Sequence, residues 1–463
     1  MNGPERLFAL WFLGLAREGR DDPRRVAGEL EHLARAWEIV SADAELAVEF
    51  AMQLWQLCRW QGLRREAIPW LRAAVLHARR AGWTRREAIL LSALGQYHQD
   101  LHEPRGAIPF YRAARRLAER TGDAALLAYA HNNLGAALRE RGWLRGSRRH
   151  LLTALELWAE TGDVNGQLST IHNLGLLYAD LGDIDSAIGH LELALAVSGT
   201  GVDRDDEGTT LHALGMFLYR SGEPERALER FEEALASQRR VQDRTGEGNT
   251  LNSIALVRHH LGDHEGALLA FAEALDTRRA LGDPQGTFDT LVGVGAAHAS
   301  AGDHERARDY HEGALALARE LGDAAREATA LNNLGAVAMD GGRVGEAVDA
   351  YLRALEAWGR VGSREGQSAT LNNLGMVHVL AGEFREAARC FHAALRVRRE
   401  TGDPAGEATV LTNLGVMFTR AGKPAWARRS LHEALAIHRR VRYAAGEAAA
   451  LRYLARLDEA AAG

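Results

Sequence analysis

The sequence contains few of the residues that metal sites, disulfides and nucleic-acid-binding surfaces require. Cys58 and Cys390 are its only cysteines, and they lie too far apart in the chain to suggest a structural disulfide or a thiolate metal site. We predict that both are buried packing residues in a reducing cytoplasm. Lys423 is the only lysine, the formal net charge is -6, and no basic stripe appears. The sequence therefore predicts no direct nucleic-acid binding.

The sequence also contains no long hydrophobic run. The N-terminal apolar run Leu7–Leu13 is too short to span a bilayer. It has neither the basic flank nor the small-residue cleavage site of a secretory signal. We predict that it forms a buried capping helix and that the protein has no membrane partner.

Catalytic motifs are absent as well. His98 and His102 have i, i+4 spacing, but no Glu follows His98, as a metalloprotease helix would require. His259, His260 and His264 straddle a turn, and the 19 histidines are otherwise scattered. No Gly-x-x-x-x-Gly-Lys-Ser/Thr loop occurs, so no phosphate site can be assigned. We predict that the chain is not an enzyme and binds no metal or cofactor.

A repeat dominates what the sequence does contain. The run Leu371-Asn372-Asn373-Leu374-Gly375 occurs again 40 residues earlier as Leu331-Asn332-Asn333-Leu334-Gly335. Steps of 40 place a small residue at the last position throughout the array: Gly95, Gly135, Gly175, Gly215, Ala255, Gly295 and Gly415. A fixed period without insertions is typical of a solenoid, and 463 residues suit a one-dimensional array better than a single core.

Each period reads as two helices. Leu331, Leu334, Gly335 and Ala338 lie at i, i+3, i+4 and i+7, which is one face of a helix. Gly341-Gly342 would end that helix and lead into a second one. A mid-helix Gly costs about 1 kcal/mol relative to Ala, so its recurrence predicts that a neighbouring helix approaches too closely for a larger side chain.

The turns between repeats carry a second periodic signal. A Gly-Asp pair recurs between hairpins and fits a Gly helix stop followed by an Asp N-cap. The pairs are Gly122-Asp123, Gly162-Asp163, Gly282-Asp283, Gly322-Asp323 and Gly402-Asp403. Pro284 and Pro404 follow two of these caps at the first helical position, which tolerates Pro. Within the hairpins, a turn Gly also recurs every 40 residues, from Gly142 to Gly422.

The register defines three parts of the chain. Residues 1–82 form degenerate N-terminal helical repeats, in which Trp55 replaces the mid-helix Gly and a break falls at Asp21-Asp22-Pro23. Residues 83–443 form the regular array, and residues 444–463 form a C-terminal capping helix and tail. We predict about eleven antiparallel helix hairpins followed by this capping helix.

These motifs resemble the tetratricopeptide repeat. Gly382, Ala387, Phe391, Ala394 and Leu395 follow a Leu-x-x-Leu-Gly run at that family's spacing, and the resemblance covers at least residues 84–440. The 40-residue period is similar to the longer repeats of kinesin light chains, the Leu-Gly-Asn adaptors of spindle orientation, and bacterial transcriptional regulators and signalling ATPases. The resemblance implies an all-α, right-handed superhelical solenoid that binds a protein or peptide.

A second resemblance lies near the N-terminus. The run Glu31–Trp37, followed by Ala44–Ala47 and Leu54-Trp55, is similar to the segment that joins the nucleotide-binding core of signalling ATPases to their tetratricopeptide sensor. Actinobacterial antibiotic-pathway regulators share that arrangement. Because no phosphate-binding loop is present, the chain is either an excised sensor portion or a free-standing relative. A nucleotide-binding signalling domain in cis or in trans is thus an expected partner.

Recurrent polar residues on the first helices are the candidate binding site. In the resembled family the first helices line the concave face, and Asn there grips partner peptides. Carboxamides both donate and accept hydrogen bonds, so they would suit an extended peptide backbone. The candidates are Asn132, Asn133, Asn173, Asn252, Asn332, Asn333, Asn372, Asn373, Asn413, His172 and His212. The alternative interpretation is that these asparagines cap or bridge neighbouring helices.

The asparagine series is interrupted, and arginines lie further along the same helices. Ala213, Ser253 and Gly293 replace Asn in the middle three repeats, which indicates either two separate subsites or drift. An acidic run, Val202–Glu207, lies near this point and is typical of solvated surface. A second set of candidates is Arg139, Arg220 and Arg420. Either these arginines reach the groove and pair with acidic groups of a partner, or they are solvated helix ends.

Three functional hypotheses follow. The first is a cytoplasmic peptide- or protein-binding module that senses ligand for a bacterial signalling or transcriptional regulator. The second is a receptor of the quorum-peptide type, in which residues 1–82 regulate an enzyme or a response regulator. The third is a passive assembly scaffold, whose partner binds the convex face.

Overall fold

The computed structural model describes residues 30–60, 64–101, 103–198, 207–441 and 443–462, together with Trp11 and Gly14. Several predicted features lie outside these ranges: the Leu7–Leu13 run apart from Trp11, the break at Asp21-Asp22-Pro23, Gly62, His102 and residues 202–206 of the acidic run. Trp11 itself is 58% exposed, so this residue of the predicted buried helix is not buried. All regular structure within the ranges is helical. None of these helices is both long and apolar enough to cross a membrane.

The helices form two compact units, Met1–Val241 and Gln242–Gly463. In the first unit they are α1 Leu30–Val40, α2 Ala44–Trp60, α3 Arg64–Arg80, α4 Thr84–Asp100, α5 Pro104–Thr121, α6 Ala124–Glu140, α7 Leu144–Thr161, α8 Val164–Asp180, α9 Ile184–Ser198, α10 Glu207–Ser221 and α11 Pro224–Val241. In the second unit they are α12 Arg244–His260, α13 His264–Ala280, α14 Pro284–Ser300, α15 His304–Glu320, α16 Ala324–Asp340, α17 Val344–Val361, α18 Arg364–Leu380, α19 Phe384–Thr401, α20 Pro404–Arg420, α21 Pro424–Arg440 and α22 Ala444–Ala462.

Consecutive helices pair as antiparallel hairpins, so the predicted all-α repeat fold is confirmed. The described ranges contain ten complete hairpins, from α2–α3 to α20–α21, with α1 before them and α22 after them. We call α4, α6, α8, α10, α12, α14, α16, α18 and α20 the first helices of their repeats. The domain boundaries at residues 82 and 443 remain predictions.

The predicted turns are confirmed. Gly322 and Gly342 have φ angles of +64° and +73°, a left-handed conformation that Gly adopts without steric cost. The Asp323 carboxylate accepts hydrogen bonds from the backbone N–H groups of Ala325 and Arg326, as an N-cap should. Among the turns that the structure describes, one departs from the pattern, because Gln242 occupies the Gly position with a φ of +61°.

Close helix approach explains the mid-helix glycines. A Cβ on Gly335 would lie 2.8 Å from Cε1 of Tyr351, and a Cβ on Gly375 would lie 2.7 Å from Cε1 of Phe391. Such distances are too short for a Cβ atom, so a larger residue would force the ring of the second helix to shift. This confirms the packing reason predicted from the repeat. Position 255 is the exception in this series, because it carries Ala instead of Gly, and Ala255 is fully buried.

The last helix packs against the last hairpin of the array. Ala450, Leu454 and Leu457 of α22 are buried in one cluster with Leu431 and Leu435 of α21. Burial of this apolar surface stabilises the packing of α22 on α21, and the capping role of α22 remains a prediction. Both cysteines are free, and burial raises the pKa of the Cys58 thiol to about 12. Cys58 is therefore a packing residue, while Cys390 is only half-buried.

Candidate functional site

The uncovered side of the first helices is the surface on which the predicted site residues lie. We call it the first-helix face and describe it in each unit separately. Its most exposed side chains follow a stripe along each helix, such as Asn249 and Leu256 on α12 and Thr209 and Met216 on α10. Met216 is 39% exposed and Leu256 is 44% exposed. These apolar positions were not among the predicted site residues, although their period is visible in the sequence.

Asparagines of the second unit pair across neighbouring repeats. Nδ2 of Asn413 donates to Oδ1 of Asn372 at 2.9 Å, 41 residues apart. Nδ2 of Asn373 donates to Oδ1 of Asn332 at 3.4 Å with the same separation. Oγ1 of Thr370 also donates to Oδ1 of Asn332, at 3.2 Å. We call each such amide–amide bond a rung, and each rung connects one first helix to the next.

The first unit contains one such rung and a further contact. Nδ2 of Asn173 donates to Oδ1 of Asn132 at 3.0 Å. Asn132 in turn donates to Oδ1 of Asn133 at 3.4 Å. Both Asn132 and Asn133 are buried, and Nδ2 of Asn133 has no partner within the described ranges. Asn132 and Asn173 therefore bridge neighbouring first helices, whereas the hydrogen bond of Asn133 lies within its own helix.

Asn333, like Asn252, takes part in no rung. It is half-buried, and it forms no hydrogen bond with any residue that the structure describes. Its rung partner, 41 residues earlier, would be Val292, which cannot accept a hydrogen bond. The Asn333 amide therefore keeps all of its donors and acceptors for water or a ligand.

The interruption of the series at Gly293 has a packing cause. A Cβ on Gly293 would lie 2.7 Å from Cε1 of Phe271. In other repeats a ring at the Phe271 position packs on the mid-helix Gly of its own hairpin, but in this hairpin Ala255 stands at that Gly position. Asn252, whose rung partner would be Gly293, has a buried Oδ1 without a partner in the described part. Ser253 Oγ donates to the backbone carbonyl of Asn249 at 3.2 Å. The division into two subsites remains a prediction.

The two predicted histidines are neutral near pH 7. Burial lowers the pKa of His172 and of His212 to about 4. Nδ1 of His172 lies 3.2 Å from Oγ1 of Thr210 on α10, so His172 also connects neighbouring first helices. Neither histidine presents a positive charge to a ligand at neutral pH.

The three predicted arginines lie in different environments. Nη1 of Arg139 donates to Oδ2 of Asp180 at 2.9 Å, and its side chain is 19% exposed. The Arg220 guanidinium lies 6.0 Å from the ring centre of Phe217. Arg420 is exposed and forms no ion pair within the described ranges. Arg139 is therefore already neutralised, and Arg420 is the freest cation of the set.

A buried arginine beneath α12 was missed by the sequence reasoning. Arg278 is 5% exposed, and its Nη2 donates to Oδ1 of Asn249 at 2.9 Å. Because guanidinium only donates, this bond turns the Asn249 amide nitrogen away from Arg278. The register gave no clear signal, because the equivalent positions of other repeats vary widely: Ala118, Trp158, Gln238, Ala318, Trp358, Arg398 and His438.

Histidine clusters do not form a metal centre in the part of the chain that the structure describes. Nδ1 of His259 lies 3.1 Å from Nδ1 of His264, and His98 pairs with Glu103 at 2.8 Å. No group of three or more His, Cys, Asp or Glu ligands converges within the described ranges. The predicted absence of cofactors and of catalysis stays a prediction.

Comparison with protein families gives a direct match. A family model described as tetratricopeptide repeat matches residues 126–198, 206–280, 286–358 and 326–400. A second model with the same description matches residues 408–442. Comparison with curated proteins gives no match.

Solved structures share the fold at low sequence identity. A signal transduction ATPase with numerous domains and a tetratricopeptide repeat sensor, from Pyrococcus horikoshii, is 13% identical, with a TM-score of 0.57 over 80% of this chain and 55% of that one. Aspartyl phosphate phosphatase F from Bacillus subtilis is 15% identical, with a TM-score of 0.53 over 77% of this chain and 95% of that one. The apo form of RapI is 14% identical, with a TM-score of 0.51 over 72% and 98%.

Proposed function

Because the chain belongs to the tetratricopeptide repeat family, we propose that it binds an extended peptide or protein segment on the first-helix face. The observation that carries this proposal is the uncovered stripe on α12, where Leu256 is 44% exposed beside the amides of Asn249 and Asn252. Apolar side chains that stay exposed next to hydrogen-bonding groups are typical of interaction surfaces.

The rungs support binding as well as folding. A rung uses one N–H of the donating amide and leaves its second N–H and its own Oδ1 unused. Asn413 is held by Asn372, and Asn373 by Asn332, so each side chain has lost rotamer freedom before a ligand arrives. Preorganised groups bind with a smaller entropy cost. Asn333, which has no rung, offers its whole amide.

We assign the binding to a sensing role in a bacterial, cytoplasmic signalling or transcriptional regulator. The support is at the level of the fold, since the Pyrococcus protein of similar fold carries a tetratricopeptide repeat sensor. A nucleotide-binding domain in cis or in trans would receive the signal. Stacked repeats contact mainly their neighbours, so a bound segment shifts their packing in small steps.

A quorum-peptide-type receptor is the second candidate. The observation that favours it is the likeness to aspartyl phosphate phosphatase F, which spans 95% of that chain. In this candidate residues 1–82 regulate an enzyme or a response regulator. Binding of a response regulator that is lost after substitutions in α2 or α3, while peptide binding persists, would favour it over the first candidate.

Selection from a library of random linear peptides tests the location of the binding surface. We expect that Leu256→Arg weakens the selected peptides by about tenfold or more, as loss of an interface anchor does. The matched control is Leu269→Arg on the second helix α13, where Leu269 is 66% exposed, and it should leave the affinity unchanged.

The opposite pattern would contradict the proposal. If Leu269→Arg abolishes binding and Leu256→Arg does not, the partner binds the convex face and the scaffold hypothesis replaces ours. Circular dichroism of both variants provides the control for folding, because both leucines are exposed and neither supports the core.

A further inference from the structure

The first unit contains a cavity on its first-helix face. It has a volume of 290 Å³ and lies between the N-terminal halves of α4 and α6 and against α2. Its walls are Trp55, Arg85, Ile89, Ala93, Asp123, Ala125, Leu126 and Tyr129. We call it the Trp55–Tyr129 cavity. Small-molecule sites occupy about 300–1,000 Å³, so this cavity holds one bulky side chain and not a whole cofactor.

The chemistry of the walls selects an aromatic group. Trp55 and Tyr129 are half-buried, as is Ile89, and Ala93 is buried. Aromatic rings pack edge to face and offset against one another, which adds to the stabilisation from buried area alone. A ring inserted between Trp55 and Tyr129 would bury apolar surface that is now in contact with water.

The rim of the cavity is charged. Nε of Arg85 donates to Oδ2 of Asp123 at 2.8 Å, and the Arg85 side chain is 69% exposed. The Asp123 carboxylate also accepts the backbone N–H of Leu126, and these two hydrogen bonds hold its pKa below the usual range. Asp123 is thus already satisfied, while the terminal nitrogens of Arg85 form no bond within the described ranges. Their N–H groups can still donate two hydrogen bonds to a second carboxylate in a bidentate pair.

The second-helix residue that lies in register beneath Ile89 differs from its counterpart in the second unit. Ala118 of α5 is fully buried and packs in one cluster with Ala88 and Leu126. Four 40-residue repeats later in the register, Arg278 replaces Ala118 and Asn249 replaces Ile89. There the guanidinium donates a hydrogen bond to Oδ1 of Asn249, so the equivalent position of the second unit is polar.

We propose that the Trp55–Tyr129 cavity binds an aromatic side chain of an extended peptide whose neighbouring residue carries a carboxylate that pairs with Arg85. The proposal rests on the peptide-binding function proposed above and names the chemistry of the peptide at one position. A peptide with an aromatic residue but no neighbouring carboxylate would fill the cavity and leave the terminal nitrogens of Arg85 without a partner.

The test uses the full chain and the probe acetyl-Ala-Phe-Asp-Ala-amide, titrated by NMR, with two further probes in which Phe is replaced by Ala or Asp by Asn. We expect the Phe probe to bind about tenfold more tightly than the Ala probe. Replacing Asp by Asn should weaken binding about threefold to tenfold. Arg85→Gln should remove that second difference, while Arg364→Gln, an ion-paired exposed arginine of α18, should preserve it.

A substitution at the cavity rim tests the location. Ala125 lines the cavity and is exposed, so Ala125→Trp can fill it without disturbing the core. We expect Ala125→Trp to weaken the Phe probe about tenfold. Ala405→Trp is the matched control, because Ala405 is exposed at the same register position of α20. If Ala125→Trp does not fold, Ile89→Asn serves instead, since α12 carries Asn249 at that position.

The outcomes separate the two proposals. Equal affinity for the Phe and Ala probes, or a Phe probe insensitive to Ala125→Trp, overturns the cavity proposal. If peptides selected from the library still respond to Leu256→Arg, the proposed function stands without it. If the probes behave as expected but no selected peptide depends on the first-helix face, the proposed function fails and the cavity binds a small aromatic acid only.

Discussion

The two units use one repeat to build two different surfaces. At the same register position the first unit has Ile89 and Tyr129, and the second has Asn249 and Asp289, both exposed. At the register position beneath Ile89 lies the buried Ala118, and beneath Asn249 lies the buried Arg278. The polar residue Asn249 of the first-helix face is thus paired with a polar second-helix residue, and the apolar residue Ile89 with a small apolar one.

The largest expected effect comes from replacing Ala118 by the arginine that the second unit has at that register position. Ala118→Arg would bury a guanidinium with no acceptor, because Ile89 stands where Arg278 finds Asn249. An uncompensated buried charge costs about 3–5 kcal/mol, so we expect the free energy of unfolding to fall by that amount in urea titrations. Adding Ile89→Asn should restore about 1 kcal/mol as a coupling energy. Additive effects would show that Asn249 does not stabilise Arg278.

A smaller effect on stability comes from His311, a buried histidine of the second unit. His311 is 2% exposed, and burial lowers its pKa from 6.5 to about 4. Because the folded pKa is the lower one, His311 costs no stability above pH 6.5 and destabilises the fold as the pH falls from 6.5 toward 4. The loss amounts to about 3 kcal/mol.

His311→Phe should remove this part of the pH dependence, because Phe231, Phe271 and Phe391 occupy the equivalent positions of other repeats. Thermal unfolding of the wild type and the variant across that pH range measures the difference. Parallel profiles for the two proteins would refute the role of His311.

The mid-helix glycines test what the two units share. Gly375→Ala places a Cβ 2.7 Å from Phe391, and such overpacking costs about 1–3 kcal/mol. Gly95→Ala, whose Cβ would lie 2.6 Å from Tyr111, should cost a similar amount in the first unit. Gly345→Ala is the control, since nothing lies within 4 Å of its Cβ, and it should be neutral or slightly stabilising in denaturant titrations.

The smallest effect separates bridging from free asparagines. Asn413→Ala removes a rung and leaves Oδ1 of Asn372 without its donor, at a cost of about 1 kcal/mol. Asn333→Ala breaks no bond to a described residue, so its unfolding free energy should change by less than about 0.5 kcal/mol. Equal losses in chemical unfolding would contradict this distinction between the two asparagines. Asn333→Ala should instead weaken a selected peptide.

Much of the fold could be predicted because local rules suffice for it. Asp323 is an N-cap, and Gly342 has a positive φ, since caps and turns depend on residues that are close in sequence. The candidate site was predicted less completely. Asn373 and Asn413 lie on the predicted helices, but their partners are 41 residues away, and a periodic pattern does not show which amides meet.

The sequence by itself determined the period, the helix ends and the small residue that each repeat requires, because these depend on backbone conformation and on repetition. Only the tertiary structure decided which polar groups remain available to a ligand. Val292 leaves Asn333 unpaired, Phe271 excludes a side chain at Gly293, and Arg278 binds the amide oxygen of Asn249. Each of these outcomes depends on side chains that come from different helices.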